Sequence, residues 1–145
     1  MLTLVSALIR ARRHFAHRPA FFTDDGRQIS WAAHCEEVSR LAGALAALGL
    51  RPGDRFAILA ANSLRQATLI HAGFWMGAVA TPINTRLAPT EIAQILDDSR
   101  PACIWAGAAA LPIFDTPELS AWSDRAIDLE DSTGGAMANS YSSLL

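Results

Sequence analysis

The order of hydrophobic and polar residues divides the chain into short elements of alternating period. Leu4, Val5, Leu8 and Ile9, followed by Arg12, fit about three turns of a helix that is apolar on one side, and Pro19 ends it. "AFFTDDGRQIS" predicts a hairpin that runs out through Phe21-Phe22, turns at Asp25-Gly26 and returns through Ile29. Ser30 is placed to cap the helix that follows. In that helix, "WAAHCEEVSRLAGALAALG", Trp31, Cys35, Val38, Leu41, Ala42, Leu45 and Leu48 share one face. Glu36 and Arg40 form an i,i+4 pair on the other face. Gly49 stands where a left-handed residue closes a helix.

"RPGD" at 51–54 is a tight turn, because Pro52 presets φ and Gly53 accepts a positive one. "RFAILA" then reads as a strand that is apolar on both sides, as a strand covered on both faces does. Asn62 or Ser63 caps the next helix, "LRQATLIHAGFWMG", which is apolar nearly all round and therefore buried. Gly77 stops it, and "AVATPI" is a second strand. Strand, helix and strand in so short a stretch make a βαβ unit with parallel strands and a right-handed crossover. Pro89 and Thr90 open a third helix whose apolar face is Ile92, Ile95 and Leu96, with Glu91 in its first turn. "ACIWA" is a third strand. Beyond Ala106 the periodicity weakens. A short helix is expected near Pro117–Trp122, a fourth strand in "AIDLE", a loop in "DSTGGAMANS" and a first helical turn in "YSSLL". The fold class is α/β, a partial parallel sheet with helices on both faces.

Composition sharpens this picture. The chain has 145 residues, 51% hydrophobic and 18% charged. That charge content is below the roughly 25% usual for soluble domains, so part of the surface is expected to be covered by more protein. The 12 basic residues are all arginines, and there is no lysine. Residues 1–23 carry four arginines and no acid, whereas residues 101–145 carry one arginine against six acids. No broad basic face follows, so nucleic acid is not an expected partner. Arg10, Arg12 and Arg13 come after the first apolar stretch and not before it, unlike a secretory signal. An acid-poor, arginine-rich start also matches a mitochondrial transit peptide, but it equally describes an ordinary first helix. The most apolar window, 67–83, contains His71, two glycines and Pro82, and is too short and broken to span a bilayer. Cys35 and Cys103 fit no metal spacing and read as two buried thiols of a reducing compartment. A cytoplasmic location is expected.

Candidate chemistry is sparse. "STGG" at 132–135 resembles a phosphate cradle, but a P-loop needs further glycines, a lysine and a helix directly after it, so a linker loop is the simpler reading. His71 lies among Ile70, Ala72, Phe74 and Trp75, and reads as a core histidine unless a partner is supplied from elsewhere. His14, His17 and His34 have no ligand spacing. Glu36-Glu37 reads as a solvated helix face. Trp31, Trp75, Trp105 and Trp122 read as core or interface, because no basic residues interleave with them. "PINTR" at 82–86 is the best shaped loop, since it follows a strand where open α/β sheets place ligands. It can also be a plain turn built on Asn84, with Arg86 paired locally.

The order of these pieces strongly resembles the amino-terminal region of the adenylate-forming (AMP-binding) superfamily. The resemblance covers residues 19–106 best and runs on more loosely to 145. It is carried by "GRQISWAAHCEEVSRLAGALAALGLRPGDRFAILAANS" and "HAGFWMGAVATPINTRLAPTEIAQILDDS". "PINTRL" leans toward the acyl-CoA synthetase branch. The resemblance implies two-step chemistry: a carboxylate attacks the α-phosphate of Mg-ATP to give an acyl-adenylate and pyrophosphate, and the thiol of CoA then displaces AMP. It also implies a phosphate loop ending in Pro-Lys-Gly, a ribose-binding Asp and a catalytic Lys in a small carboxyl-terminal domain. None of these stands in this sequence, and "SYSSLL" resembles the helix that precedes the phosphate loop. No catalytic, cofactor-binding or metal-binding residue is therefore assigned. Asn84 and Arg86 match the family's structural "P-x-N" loop only.

Residues 1–18 are expected to form an amino-terminal helix, and 19–145 an incomplete synthetase amino-terminal domain. The implied function is that of a piece of an ATP-dependent acyl-CoA synthetase, inactive by itself, with ATP, Mg and CoA used only by the complete enzyme. Its expected partner is the remainder of the synthetase or a full-length relative. Two alternatives remain: a freestanding α/β scaffold or regulatory module, and a piece of an amino-acid-adenylating domain.

Overall fold

The computed structural model describes residues 3–132 and 140–144. Helix α1 (Leu4–Phe15) is followed by the hairpin β1 (Pro19–Phe22) and β2 (Gln28–Ser30), then helix α2 (Trp31–Ala47). The chain continues through β3 (Arg55–Leu59), α3 (Leu64–Met76), β4 (Val79–Pro82), α4 (Pro89–Ser99) and β5 (Ile104–Ala106). Two 3-10 turns, Leu111–Asp115 and Ser120–Arg125, lead to β6 (Ala126–Asp128), and α5 (Tyr141–Leu144) is the last element. The short helix expected near 117–122 is a 3-10 turn that begins at Ser120, and a further 3-10 turn precedes it at Leu111–Asp115. Pro117, between the two turns, lacks the N–H that one continuous α-helix over 111–125 would use.

The four parallel strands lie in the order β4-β3-β5-β6. Ala57 faces Thr81 on one side and Ile104 on the other, and Trp105 faces Ile127. The expected pairing of 55–60 with 78–83 is present and parallel. The pleat of β3 explains its unbroken apolar run. Phe56, Ile58 and Ala60 join Leu41, Leu45, Leu69, Trp105 and Ile127 in one core, under α2 and α3. Ala57 and Leu59 join Ile92, Leu96, Ile104, Phe114 and Leu119 in a second core on the opposite face, under α4 and the 3-10 turns. Helices on both faces are what the sequence implied.

Local signals sit where the physics puts them. Ser30 and Ser63 cap α2 and α3 by accepting the N–H groups of Ala33 (3.2 Å) and Gln66 (3.1 Å). Gly77 ends α3 in the left-handed region at φ 82°. Helix α4 begins after Ala88, whose N–H donates to the Glu91 carboxylate at 2.8 Å. Outside the two main cores, Leu8 of α1 docks on Cys35 and Val38 of α2, flanked by Trp31 and Trp75. On the outer side of α2, Arg40 pairs with Glu37 at 2.7 Å rather than with Glu36.

Candidate functional site

The strand order sets the first place to look. The chain leaves β3 toward β4 on one side and returns across the sheet to β5 on the other. The carboxyl ends of β3 and β5 therefore form the switch point where open α/β sheets bind ligands. A crevice of about 230 Å³ opens there, lined by Ala60 and Ala61 from the end of β3, Gly107 from the end of β5, Thr85, Ile113 and Glu130. Gly107 allows the two strand ends to close. A Cβ at that position would lie 3.2 Å from the Ala60 Cβ and 3.1 Å from Glu130 Oε1. The backbone N–H of Gly107 donates to the Leu59 carbonyl at 3.0 Å, and that of Ala108 to Glu130 Oε2 at 3.2 Å.

Among the described residues the wall of this crevice is apolar apart from Thr85 and Glu130, and the Glu130 carboxylate is its one ionisable group. A triphosphate would meet negative charge there and no cation. An adjoining hollow beyond the ends of β3 and β4 is lined by Asn62, Gln66, Asn84 and Thr85, all uncharged. The 82–86 loop is thus at the site, but its residues shape it and do not charge it. Asn84 accepts the N–H of Arg86 at 3.0 Å in a side-chain turn, and Arg86 is exposed and lines neither hollow. Most of "STGG" lies outside the described residues.

Titratable groups gather elsewhere, in a groove of about 400 Å³ between α2, α3 and α5, lined by His34, Glu37, Arg65, Thr68 and Tyr141. His34 supplies the partner that His71 lacked in the sequence: His34 Nε2 and His71 Nδ1 are 2.8 Å apart, one donating to the other. Burial, reinforced by the neighbouring imidazole, lowers the His34 pKa to about 4, against a smaller opposing pull from Glu37. Burial also lowers that of His71. The pair is neutral at pH 7, with the edges of Phe21 and Trp31 against His34. Glu37 is not simply solvated: its Oε1 accepts the Tyr141 hydroxyl at 3.1 Å and its Oε2 the Arg40 guanidinium, while Glu36 is exposed as expected.

The sequence did not reveal these partnerships, because they join residues 37 and 104 positions apart. The available signal was a lone histidine on an apolar stretch of each of two helices that must pack together. Among the described residues no three His, Cys, Asp or Glu side chains are placed to hold a metal. Cys35 and Cys103 are buried and unpaired. Burial raises both thiol pKa values, that of Cys103 to about 11, which disfavours the thiolate form. No described helix is long and apolar enough to cross a membrane.

The AMP-binding enzyme family model matches residues 8–136. Over 77 residues, 53% of this chain and 15% of the relative, the sequence is 44% identical to the long-chain-fatty-acid–CoA ligase FadD13 of Mycobacterium tuberculosis. A candidate long-chain-fatty-acid CoA ligase from Rhodopseudomonas palustris superposes with a TM-score of 0.87 at 30% identity, over 99% of this chain and 36% of that one. The O-succinylbenzoate coenzyme A synthetase MenE of Bacillus subtilis, in complex with AMP, superposes with a TM-score of 0.72 at 27% identity, over 83% of this chain and 30% of that one. The chain thus spans well under half the length of these relatives.

Proposed function

The chain belongs to the AMP-binding enzyme family, in its acyl-CoA synthetase branch, and from that premise we propose that it forms the amino-terminal part of the large domain of an adenylate-forming acyl-CoA ligase. The observation that carries this reading is the fit of the whole α/β layer, 99% of the chain, to a CoA ligase candidate at a TM-score of 0.87. In this reading residues 19–145 belong to the family's amino-terminal domain and residues 1–18 add an outer helix. The complete enzyme would join a carboxylic acid to the α-phosphate of ATP, release pyrophosphate, and pass the acyl group to the thiol of CoA with loss of AMP.

The residues of this chain do not by themselves neutralise a triphosphate. The switch-point crevice offers a carboxylate and apolar wall, and no lysine exists to stabilise charge on a phosphate. The chain's own contribution is shape. The carboxyl ends of β3 and β5, closed by Gly107, and the 82–86 loop form a wall against which further protein packs. In the same reading α5 leads toward the phosphate loop. The location proposed is the cytoplasm, whose reducing conditions suit two unpaired thiols.

A chimera tests the reading. The matched amino-terminal stretch of an active long-chain fatty-acid–CoA ligase is replaced by this chain, and carboxylate-dependent ATP–pyrophosphate exchange is measured with fatty and aromatic acids. Exchange is expected from the chimera and none from the chain alone. A well-folded chimera without exchange refutes the assignment, and exchange by the purified chain alone refutes its catalytic incompleteness.

A further inference from the structure

Arg65, on the first turn of α3, touches three separate parts of the chain that follows β6. Its Nη1 donates to the Leu129 carbonyl at 2.8 Å and lies 2.8 Å from Asp131 Oδ2. Its guanidinium carbon stands 4.7 Å from the centre of the Tyr141 ring, over its face. Asp131, in turn, reaches across the loop. Its Oδ1 accepts the Ser142 N–H at 2.9 Å and its Oδ2 the Ser142 hydroxyl at 2.6 Å. Asp131 itself holds a left-handed φ of 56°, which Asp and Asn adopt more readily than other non-glycine residues. Tyr141 completes the circuit through its hydroxyl on Glu37.

We infer that Arg65 is a positioning residue, a latch that fixes where the chain re-enters at α5 by holding Leu129, Asp131 and the Tyr141 ring at once. Only a planar, multiply donating cation makes these contacts together; a lysine ammonium would serve one or two of them. Four short residues of helix have no stability of their own, so α5 depends on such ties. The catalytic consequence rests on the ligase reading above, in which α5 leads into the nucleotide site. Arg65 acts through Asp131 and Tyr141.

The test exploits the fact that Tyr141 is the only tyrosine in the chain. Burial, with the Glu37 charge and hydrogen bond behind it, pushes the phenol pKa up, while Arg65 and Arg40 pull it down. Arg65→Met keeps helix propensity and stem length; Asp131→Asn keeps size and tolerance of the left-handed backbone. In both variants the Ser142 amide is expected to exchange about tenfold faster or more, with the amides of β3 unchanged. In Arg65→Met the phenol is expected to titrate nearer the ordinary value of about 10, because a released Tyr141 reaches water. Were Arg65 only a nearby charge, its removal would instead raise the phenol pKa further. In the chimeric ligase Arg65→Met is expected to lower the adenylation kcat by about tenfold with the carboxylate KM unchanged, and Arg65→Lys not to restore it. Unchanged Ser142 exchange, or a phenol pKa that rises, overturns the latch. Faster exchange with an unchanged kcat overturns its role in positioning for adenylation. A chimera inactive with native Arg65 counts against the ligase reading, and the exchange and titration arms still decide the latch.

Discussion

The two crossovers flanking the centre of the sheet have the same length and different solutions. Residues 60–78 carry the chain from β3 to β4, and residues 107–125 carry it from β5 to β6. The first crossover is a continuous helix, α3, with a serine cap and a glycine stop. The second is a pair of 3-10 turns, with Pro112 opening the first and Pro117 between the two. Both yield parallel pairing. A crossover must therefore cover its sheet face with apolar side chains, and it need not be helical to do so. Leu69 does this for α3, and Phe114 and Leu119 do it for the 3-10 pair; Leu69 and Leu119 are fully buried.

Truncating the two leucines separates the solutions and should give the largest effects. Leu69→Ala and Leu119→Ala each remove a fully buried side chain and should cost about 2–5 kcal/mol. The value for Leu69→Ala is expected in the upper half of that range, because a rigid helix cannot collapse into the cavity. Leu119→Ala is expected in the lower half, because short turns can. Urea unfolding midpoints at constant slope measure both. Equal costs would show that the 3-10 crossover is as rigid as the helix.

Gly73→Ala probes the helical crossover from the other direction. A Cβ at Gly73 would stand 2.7 Å from the Phe56 ring, far inside van der Waals contact. Phe56 is fully buried between β3 and α3 and cannot swing into solvent. A change that normally favours a helix should therefore destabilise by about 1–3 kcal/mol. A rise in thermal midpoint would show that α3 can slide on the sheet.

Acid distinguishes the two crossovers chemically. The helical one carries His71 against His34, whereas the 3-10 one contains no histidine. The folded His34 pKa of about 4 lies below its ordinary 6.5, so the folded state binds fewer protons than the unfolded one. The stability due to the neutral pair is thus fully present above about 6.5 and is lost as the pH falls from 6.5 toward 4. Urea midpoints measured from pH 7.5 down to about 5 should fall in the native chain and fall less steeply in His34→Gln, which keeps only the buried His71. An equal slope in both would assign the pH dependence to other groups.

How legible each part was follows from how local its cause is. Ser30, Ser63, Gly77 and the unbroken apolar run from Phe56 to Ala60 act within a few residues, so the helices, the strands and the parallel pair could be read directly. The first of the 3-10 turns was missed because prolines broke the only periodicity available. The carboxyl-end crevice was half legible: the 82–86 loop was expected, but Gly107 and Glu130 become site residues only once the order β4-β3-β5-β6 is known. The His34–His71 and Glu37–Tyr141–Arg65 contacts depend on how α2 crosses α3 and where the chain returns after β6. No local pattern encodes either.

The smallest expected effect tests the local signal most directly. Ser63 holds an extended backbone, φ −154° and ψ 166°, and its hydroxyl accepts the Gln66 N–H. That bond satisfies one of the four N–H groups that the start of α3 leaves unpaired. Ser63 is exposed, so replacing it removes a cap without opening a cavity. Ser63→Ala should cost about 1 kcal/mol, while Ser63→Asp should cost little, because its carboxylate can accept the same bond and also favours the helix amino end. The 3-10 turns offer no equivalent position: Ala110, before the first of them, makes no side-chain cap. Thermal melts of the two Ser63 variants check the prediction. If Ser63→Ala proved neutral, packing of the buried face of α3 alone would set where the helix begins, and the helical crossover would resemble the 3-10 one in being held only by what it covers.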